Sequence, residues 1–232
     1  MRRSLLVSLA APSPRCAAFL MALSLFFATS AGAQTTFTVN TPDDLDDGMC
    51  EASHCSLREA ISAANNAGGG LIAFDIPGPG PHTIKPSSEL PALVSDVTID
   101  GTTEPDFAGT PVVELDGSIT PAMTQGLVVV GSGNVIRGIV VNRFPSNGIS
   151  IATEASGNVI EGNYVGTDIT GAIPLGNGNA GVMVGQAPDN TNGGTTPEQR
   201  NVISGNIVGV TIVDLTATGN LVIGNYIGTR DR

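Results

Sequence analysis

Asn134-Val-Ile-Arg-Gly-Ile139, Asn158-Val-Ile-Glu-Gly-Asn163, Asn201-Val-Ile-Ser-Gly-Asn206 and Asn220-Leu-Val-Ile-Gly-Asn225 are four versions of one six-residue phrase. The first position is Asn in all four: Asn134, Asn158, Asn201 and Asn220. The next two positions are aliphatic. The fifth is Gly, at Gly138, Gly162, Gly205 and Gly224, and the sixth is Asn in three of the four. An aliphatic residue returns three positions after each Gly, at Val141, Val165, Val208 and Ile227. The phrases start 24, 43 and 19 residues apart.

A second phrase alternates with the first. It is Gly followed by aliphatic-x-aliphatic, starting at Gly126, Gly148, Gly181 and Gly209. Each phrase has the length and β-branched content of a short strand. The 43-residue interval holds one phrase of each kind, and its excess falls in two loops, around 167–178 and 186–200. Both are rich in Gly, Pro, Asn and Thr, the residues of turns. Short strands recurring every 20–25 residues, with Asn and Gly at fixed turn positions, predict a parallel β-solenoid. One coil cannot bury its aliphatic residues alone, whereas stacked coils pair every strand and share a core. Gly at the corners accepts positive φ. Asn in one column, Asn134, Asn158, Asn201 and Asn220, is expected to form a ladder of side-chain amides, with plain turn preference as the alternative reading.

Composition agrees. Of 232 residues, 30 are Gly and 15 Pro, only 13% are charged and 4% aromatic, and Trp is absent. Helical Gly costs about 1 kcal/mol against Ala, so this much Gly disfavours long helices. A net charge of −11 excludes a binder of phosphate backbones, so no nucleic-acid partner is expected. Low charge with abundant Val and Ile excludes disorder.

Residues 1–33 read as a secretory signal peptide. Arg2, Arg3 and Arg15 are its only charges, an apolar run covers 16–28, and Ala31-Gly-Ala33 is a small-x-small cleavage site. The run is short for a spanning helix, and no later stretch is long enough, so no transmembrane segment is expected after removal. Losing three Arg leaves seven bases against 21 acids, a net charge of −14. The expected destination is secreted or cell-surface. Of three Cys, Cys50 and Cys55 then remain. An oxidising compartment favours a disulfide between them; free thiols or a metal site with His54 are the alternatives, the latter lacking a second Cys/His pair.

The N-terminal part, residues 34–95, reads differently from the repeats of 96–232. Thr36–Asn40 alternates as a strand, 41–50 is an acidic turn, and Ser56 with Glu59 forms a capping box before Leu57, Ala60, Ile61 and Ala64 at helical spacing. A strand plus one amphipathic helix suits a cap over a solenoid's open end.

Cys55-Ser-Leu-Arg-Glu-Ala60, with the acidic turn and Cys50 before it, resembles the N-terminal CSLREA domain of exported bacterial proteins. The segments 74–84 (FDIPGPGPHTI), 96–102 (DVTIDGT), 109–118 (GTPVVELDGS), 162–168 (GNYVGTD), 200–206 (RNVISGN) and 224–229 (GNYIGT) are similar to the same group. The resemblance implies an all-β fold, a right-handed parallel β-helix whose N-terminal cap contains one short α-helix, and export. It brings no catalytic residue and no cofactor. Such proteins continue through more coils and a C-terminal anchor, so truncation at the C-terminus is expected.

Glycoside hydrolysis needs two carboxyl groups about 5–9.5 Å apart. Acids in the repeats are sparse. Asp168 and Asp214 follow strands of different coils and are the pair to watch, and Glu161 has Arg137, Ser204 and Ile223 as its counterparts. Arg137 and Arg143, six apart, are the candidate bases of a lyase, without an Asp cluster. Tyr164 and Tyr226 occupy equivalent positions and are expected to stack in register or pack as coil contacts. The turn Asp43-Asp-Leu-Asp-Asp-Gly48 invites calcium but departs from the D-x-[DN]-x-[DN]-G spacing and lacks the twelfth-position Glu. The expectation is a structural, adhesive or glycan- or protein-binding module without catalysis. The alternatives are a polysaccharide lyase or hydrolase on the same scaffold, and the N-terminal part of a larger anchored exoprotein.

Overall fold

A computed structural model describes residues 34–228. The expected signal segment 1–33 and its cleavage site lie outside the described residues. The chain opens with β1 (Thr36–Val39), α1 (Leu57–Ala67), β2 (Gly70–Phe74) and β3 (His82–Ile84). Strands then come in threes: β4 (Val97–Asp100), β5 (Val113–Asp116) and β6 (Leu127–Val129); β7 (Val135–Arg137), β8 (Ile139–Asn142) and β9 (Ile149–Ile151); β10 (Val159–Glu161), β11 (Tyr164–Val165) and β12 (Ala180–Gly185); β13 (Thr191–Gly193), β14 (Val202–Ile203) and β15 (Val208–Val213). A last pair, β16 (Leu221–Ile223) and β17 (Tyr226–Ile227), follows.

These strands make three all-parallel sheets, visited in rotation. The first runs β1-β2-β4-β7-β10-β13-β16, the second β3-β5-β8-β11-β14-β17 and the third β6-β9-β12-β15. Inward columns follow from the register. In the first sheet Ile72, Ile99, Ile136 and Ile160 align. In the second, Ile84, Leu115, Val141, Val165 and Ile203 align, and in the third Leu127, Ile149, Val182 and Val210. Residues from all three columns belong to one apolar core. Each fully buried Leu, Ile or Val in it stabilises the fold by about 1.5–3 kcal/mol.

At the N-terminal end α1 packs on β1 and β2. Its start obeys the capping box: the Glu59 N–H donates to Ser56 Oγ, and the Ser56 N–H donates to Glu59 Oε2 at 2.8 Å. Leu57, Ala60, Ile61 and Ala64 face the core. Gly68, in the left-handed region at φ 79°, ends the helix and donates to the Ala64 and Asn65 carbonyls. Cys50 and Cys55 form a disulfide. Among the described residues no helix is long and apolar enough to cross a membrane.

The second phrase maps wholly onto the third sheet, as β6, β9, β12 and β15. The first phrase does not map onto one sheet. Its copies at 134, 158 and 220 are strands β7, β10 and β16 of the first sheet, but the copy at 201 is β14 of the second. The first-sheet partner of β10 is β13, inside the segment 186–200 expected as an excess loop. Thr191-Asn-Gly193 escapes an aliphatic search because Asn192 stands where its neighbours carry Ile160 and Val222.

Candidate functional site

The Asn residues form ladders at the strand entries. Val97 N–H donates to Asn134 Oδ1 at 3.0 Å, and Asn134, Asn158, Asn190 and Asn220 continue the column. At each step one Oδ1 accepts both the backbone N–H and the Nδ2 of the preceding Asn. Asn201 stands in a second ladder, Asn163–Asn201–Asn225, entering the second sheet. The expectation that placed it between Asn158 and Asn220 is therefore corrected. From β10 onward an Asn stands before both the first-sheet and the second-sheet strand, and the missing member of the first ladder is Asn190. A third ladder links Asn177 to Asn206. The glycines divide the same way. Gly138, Gly162 and Gly224 leave first-sheet strands and Gly205 leaves β14, all with φ between 64° and 77°.

These are scaffold features. What they position is a groove of about 540 Å³ where the chain passes from the first sheet to the second. Arg137 and Glu161 line it from the ends of β7 and β10, Tyr164 and Tyr226 from β11 and β17, Arg200 from the preceding turn, and Phe107 from the loop before β5. Asp100, Arg137 and Glu161 are in register on adjacent strands, so charges of alternating sign sit one strand apart. Arg137 donates to Asp100, and Gln199 Nε2 donates to Glu161 Oε2 at 3.0 Å. Gln199 reaches there from a short 3-10 turn, Pro197–Gln199. The next register position is Gly193, not Ser204, because Ser204 follows β14 in the second sheet.

Arg200 lies over Tyr226, with its guanidinium carbon 5.6 Å from the ring centre, and Nη1 donates to the phenol oxygen at 3.1 Å. Tyr164 and Tyr226 share a column but do not stack on each other, because Val202 lies between them. Glu198 also lines the groove. Hydrogen bonds from its own N–H and from the Thr196 hydroxyl hold its carboxyl below the usual range. Phe107, Gln199 and Arg200 carried no repeat signal and were not legible as site residues.

The other sequence candidates are not brought together. Asp168 accepts from Thr170 Oγ1 at 2.8 Å and Ile173 N–H at 3.0 Å inside its own turn, whereas Asp214 accepts from Gln186 Nε2 at 3.1 Å beyond β15. Arg143 does not share a face with Arg137. Its Nε donates to Asp116 at 2.9 Å and its Nη2 to Glu114 at 3.1 Å, and the half-exposed Lys85 pairs with the same buried Asp116 carboxylate.

The acidic turn does not converge on one point either. Asp43, Asp46 and Asp47 each accept a backbone N–H two residues on, from Leu45, Gly48 and Met49, and Asp44 pairs with Arg58. His54 lies against this turn. Its Nε2 is 3.2 Å from Asp43 Oδ1, and its Nδ1 is 3.1 Å from Glu59 Oε2 and 3.9 Å from Asp47 Oδ2. Asp47, His54 and Glu59 are the described residues whose donor atoms lie close enough together to hold a metal ion.

No family model matches this chain, and no curated protein matches it.

Proposed function

We propose that this chain is an exported, right-handed parallel β-helix of the CSLREA-capped kind, and that its first-to-second-sheet groove binds a glycan without cleaving it. Each set of three strands is then one coil. The rotation of the chain through three parallel sheets supports that reading, and the right-handed crossover is the usual one between parallel strands. The Cys50–Cys55 disulfide fits an oxidising destination.

The groove carries the functional reading. Saccharides present apolar ring faces edged by hydroxyls. Tyr226, partly exposed and stacked with Arg200, together with Phe107 and Tyr164, offers aromatic surface beside the Arg137 and Glu161 hydrogen-bonding groups. A hydrolase on the same scaffold is the second reading, because Glu161 and Glu198 line one groove. Glycoside hydrolysis needs one carboxyl held protonated, and the hydrogen bonds that lower Glu198 make it unsuited to that acid role. Binding and turnover should be measured together on a panel of neutral and acidic polysaccharides. Saturable binding without new reducing ends supports the binding module. Turnover that Glu161→Gln or Glu198→Gln abolishes would establish the enzyme instead.

A further inference from the structure

We propose that Asp47, His54 and Glu59 form a binding site for a divalent transition-metal cation of the zinc class. The site lies in the N-terminal cap and is independent of the groove reading. Its donors are one imidazole nitrogen and two carboxylates, whose ligand atoms all lie within 4.8 Å of one another. Tetrahedral bonds of about 2.0–2.2 Å place ligand atoms roughly 3.3–3.6 Å apart, so a pair standing near the 4.8 Å limit has to close by about 1 Å on binding.

The imidazole supplies the observation that points to a cation. His54 Nδ1 is buried and makes no hydrogen bond, although Glu59 Oε2 is 3.1 Å away, because its geometry does not satisfy one. The other ring nitrogen, Nε2, is 3.2 Å from Asp43 Oδ1. A carboxylate on Nε2 selects the tautomer with its proton there, which turns the Nδ1 lone pair towards Asp47 and Glu59. A bare lone pair facing two carboxylates is repulsive until a proton or a metal cation stands among them, and a metal ion can take the place of that proton. A carboxylate behind a ligating imidazole is also the usual outer partner of a metal-bound histidine. The nitrogen donor favours a borderline cation over calcium or magnesium, which take oxygen ligands.

Each ligand is held by a different device. Glu59 is fixed by the capping box, and its Oε1 also accepts the Asp47 N–H at 2.8 Å, which ties the first ligand to the third. His54 sits in the disulfide loop, where it exchanges two backbone hydrogen bonds with Glu51. Asp47 is braced by Met49 N–H on Oδ1, leaving Oδ2 towards His54. The side chain of Glu59 is buried while that of Asp47 is 52% exposed, so water can reach the remaining coordination positions from the Asp47 side.

The full chain, with its disulfide intact and stripped by chelator, should be titrated with zinc chloride by calorimetry at neutral pH, with the histidine rings followed by heteronuclear NMR. The expected result is saturable binding of a single equivalent, a shift of the His54 Nδ1 resonance and retention of the proton on Nε2. His54→Gln and Asp47→Asn should each weaken affinity at least about tenfold, and Asp43→Asn about 10- to 100-fold. Asp47→Asn keeps the oxygen that accepts from Met49, so it tests the ligand without removing that brace. Absence of saturable binding overturns the site. So does binding that both ligand variants leave unchanged, or one that calcium chloride reproduces without moving the His54 ring.

Discussion

Asn158 donates both its backbone N–H, at 3.0 Å, and its side-chain Nδ2, at 2.9 Å, to the single Oδ1 of Asn190, and its own Oδ1 receives the same two groups of Asn134. Every strand entry in this ladder therefore depends on the side chain one rotation further on. Asn158 is fully buried. Asn158→Ala should leave the Asn134 N–H and Nδ2 without that acceptor, and unfolding in urea should show a loss of about 2–4 kcal/mol. Asn220, partly exposed, accepts from Asn190 in the same way, and Asn220→Ala should cost only about 1 kcal/mol because water can replace it.

Asn192 gives the opposite expectation. It occupies the inward column of Ile136, Ile160 and Val222, it is buried, and its Nδ2 has no hydrogen-bond partner. Its Oδ1 accepts from Asn201 Nδ2 at 2.7 Å, but that same Nδ2 also reaches the Ile160 carbonyl and Asn225 Oδ1, enough acceptors for its two hydrogens. Asn192→Val removes an orphaned donor and extends an aliphatic column. Its urea midpoint should rise, by about 1 kcal/mol in stability; a fall would mean that the Asn201 contact outweighs the orphan.

Those two residues also explain what the sequence could tell. Strand phrases built on Val and Ile were readable because inward positions of a parallel sheet are nearly always aliphatic. β13 was not, since Asn192 breaks that rule, and without β13 the phrase at Asn201 fell into the wrong column. The periodicity marks strand entries but carries no mark of which sheet is entered. The helix was readable down to its capping box, because Ser56 and Glu59 act through local spacing. The groove was mostly hidden. Phe107, Gln199 and Arg200 come from loops outside the repeat, and only tertiary structure brings them to Arg137, Glu161 and Tyr226. His54 was visible only as a lone histidine between two cysteines, with nothing to show that Glu59 and Asp47 meet it.

Acid sensitivity should follow from Asp100 and Asp116. Burial alone would raise Asp100, but hydrogen bonds and charge from Arg137, with Thr102, hold it below its ordinary 3.8. Burial likewise opposes Asp116, which Ser118, Lys85 and Arg143 hold low. A carboxyl depressed on folding contributes stability that is fully present above its unfolded value and lost as pH falls through the folded one. Stability should hold near neutral pH and drop below about pH 3.8. Arg137→Gln should lower the urea midpoint at pH 7 and flatten the acid-side decline. An unchanged slope would mean that the Asp100–Arg137 pair contributes nothing to it.

In the groove, aromatic contact should dominate binding if a saccharide occupies it. Tyr226→Ala removes a ring face and frees Arg200, so glycan affinity should fall about fivefold, or ~1 kcal/mol, with the fold intact. Asp168→Asn, within its own turn, and Asp214→Asn, paired with Gln186 beyond β15, do not line the groove, should leave affinity unchanged and serve as controls. Equal losses from all three variants would place the binding surface elsewhere.

Among the described glycines the closest steric approach lies at Gly131. A Cβ there would stand 1.1 Å from the Val94 carbonyl oxygen. The clash is with backbone, so no rotamer change relieves it. The segment around Val94 is itself fixed, since Leu93 N–H donates to the Val128 carbonyl and Val130 N–H donates to the Leu93 carbonyl, both near 2.9 Å. Gly131→Ala should force this strand-like connection off the end of β6, with loss of those bonds and of buried Leu93, at a cost above about 3 kcal/mol. Gly157 provides the comparison. Its φ is +66° but nothing lies within 4 Å of its Cβ position, so Gly157→Ala should cost only the backbone preference, about 1–2 kcal/mol. Thermal unfolding of the two variants side by side separates close approach from dihedral strain, and equal shifts would show that Val94 can move away.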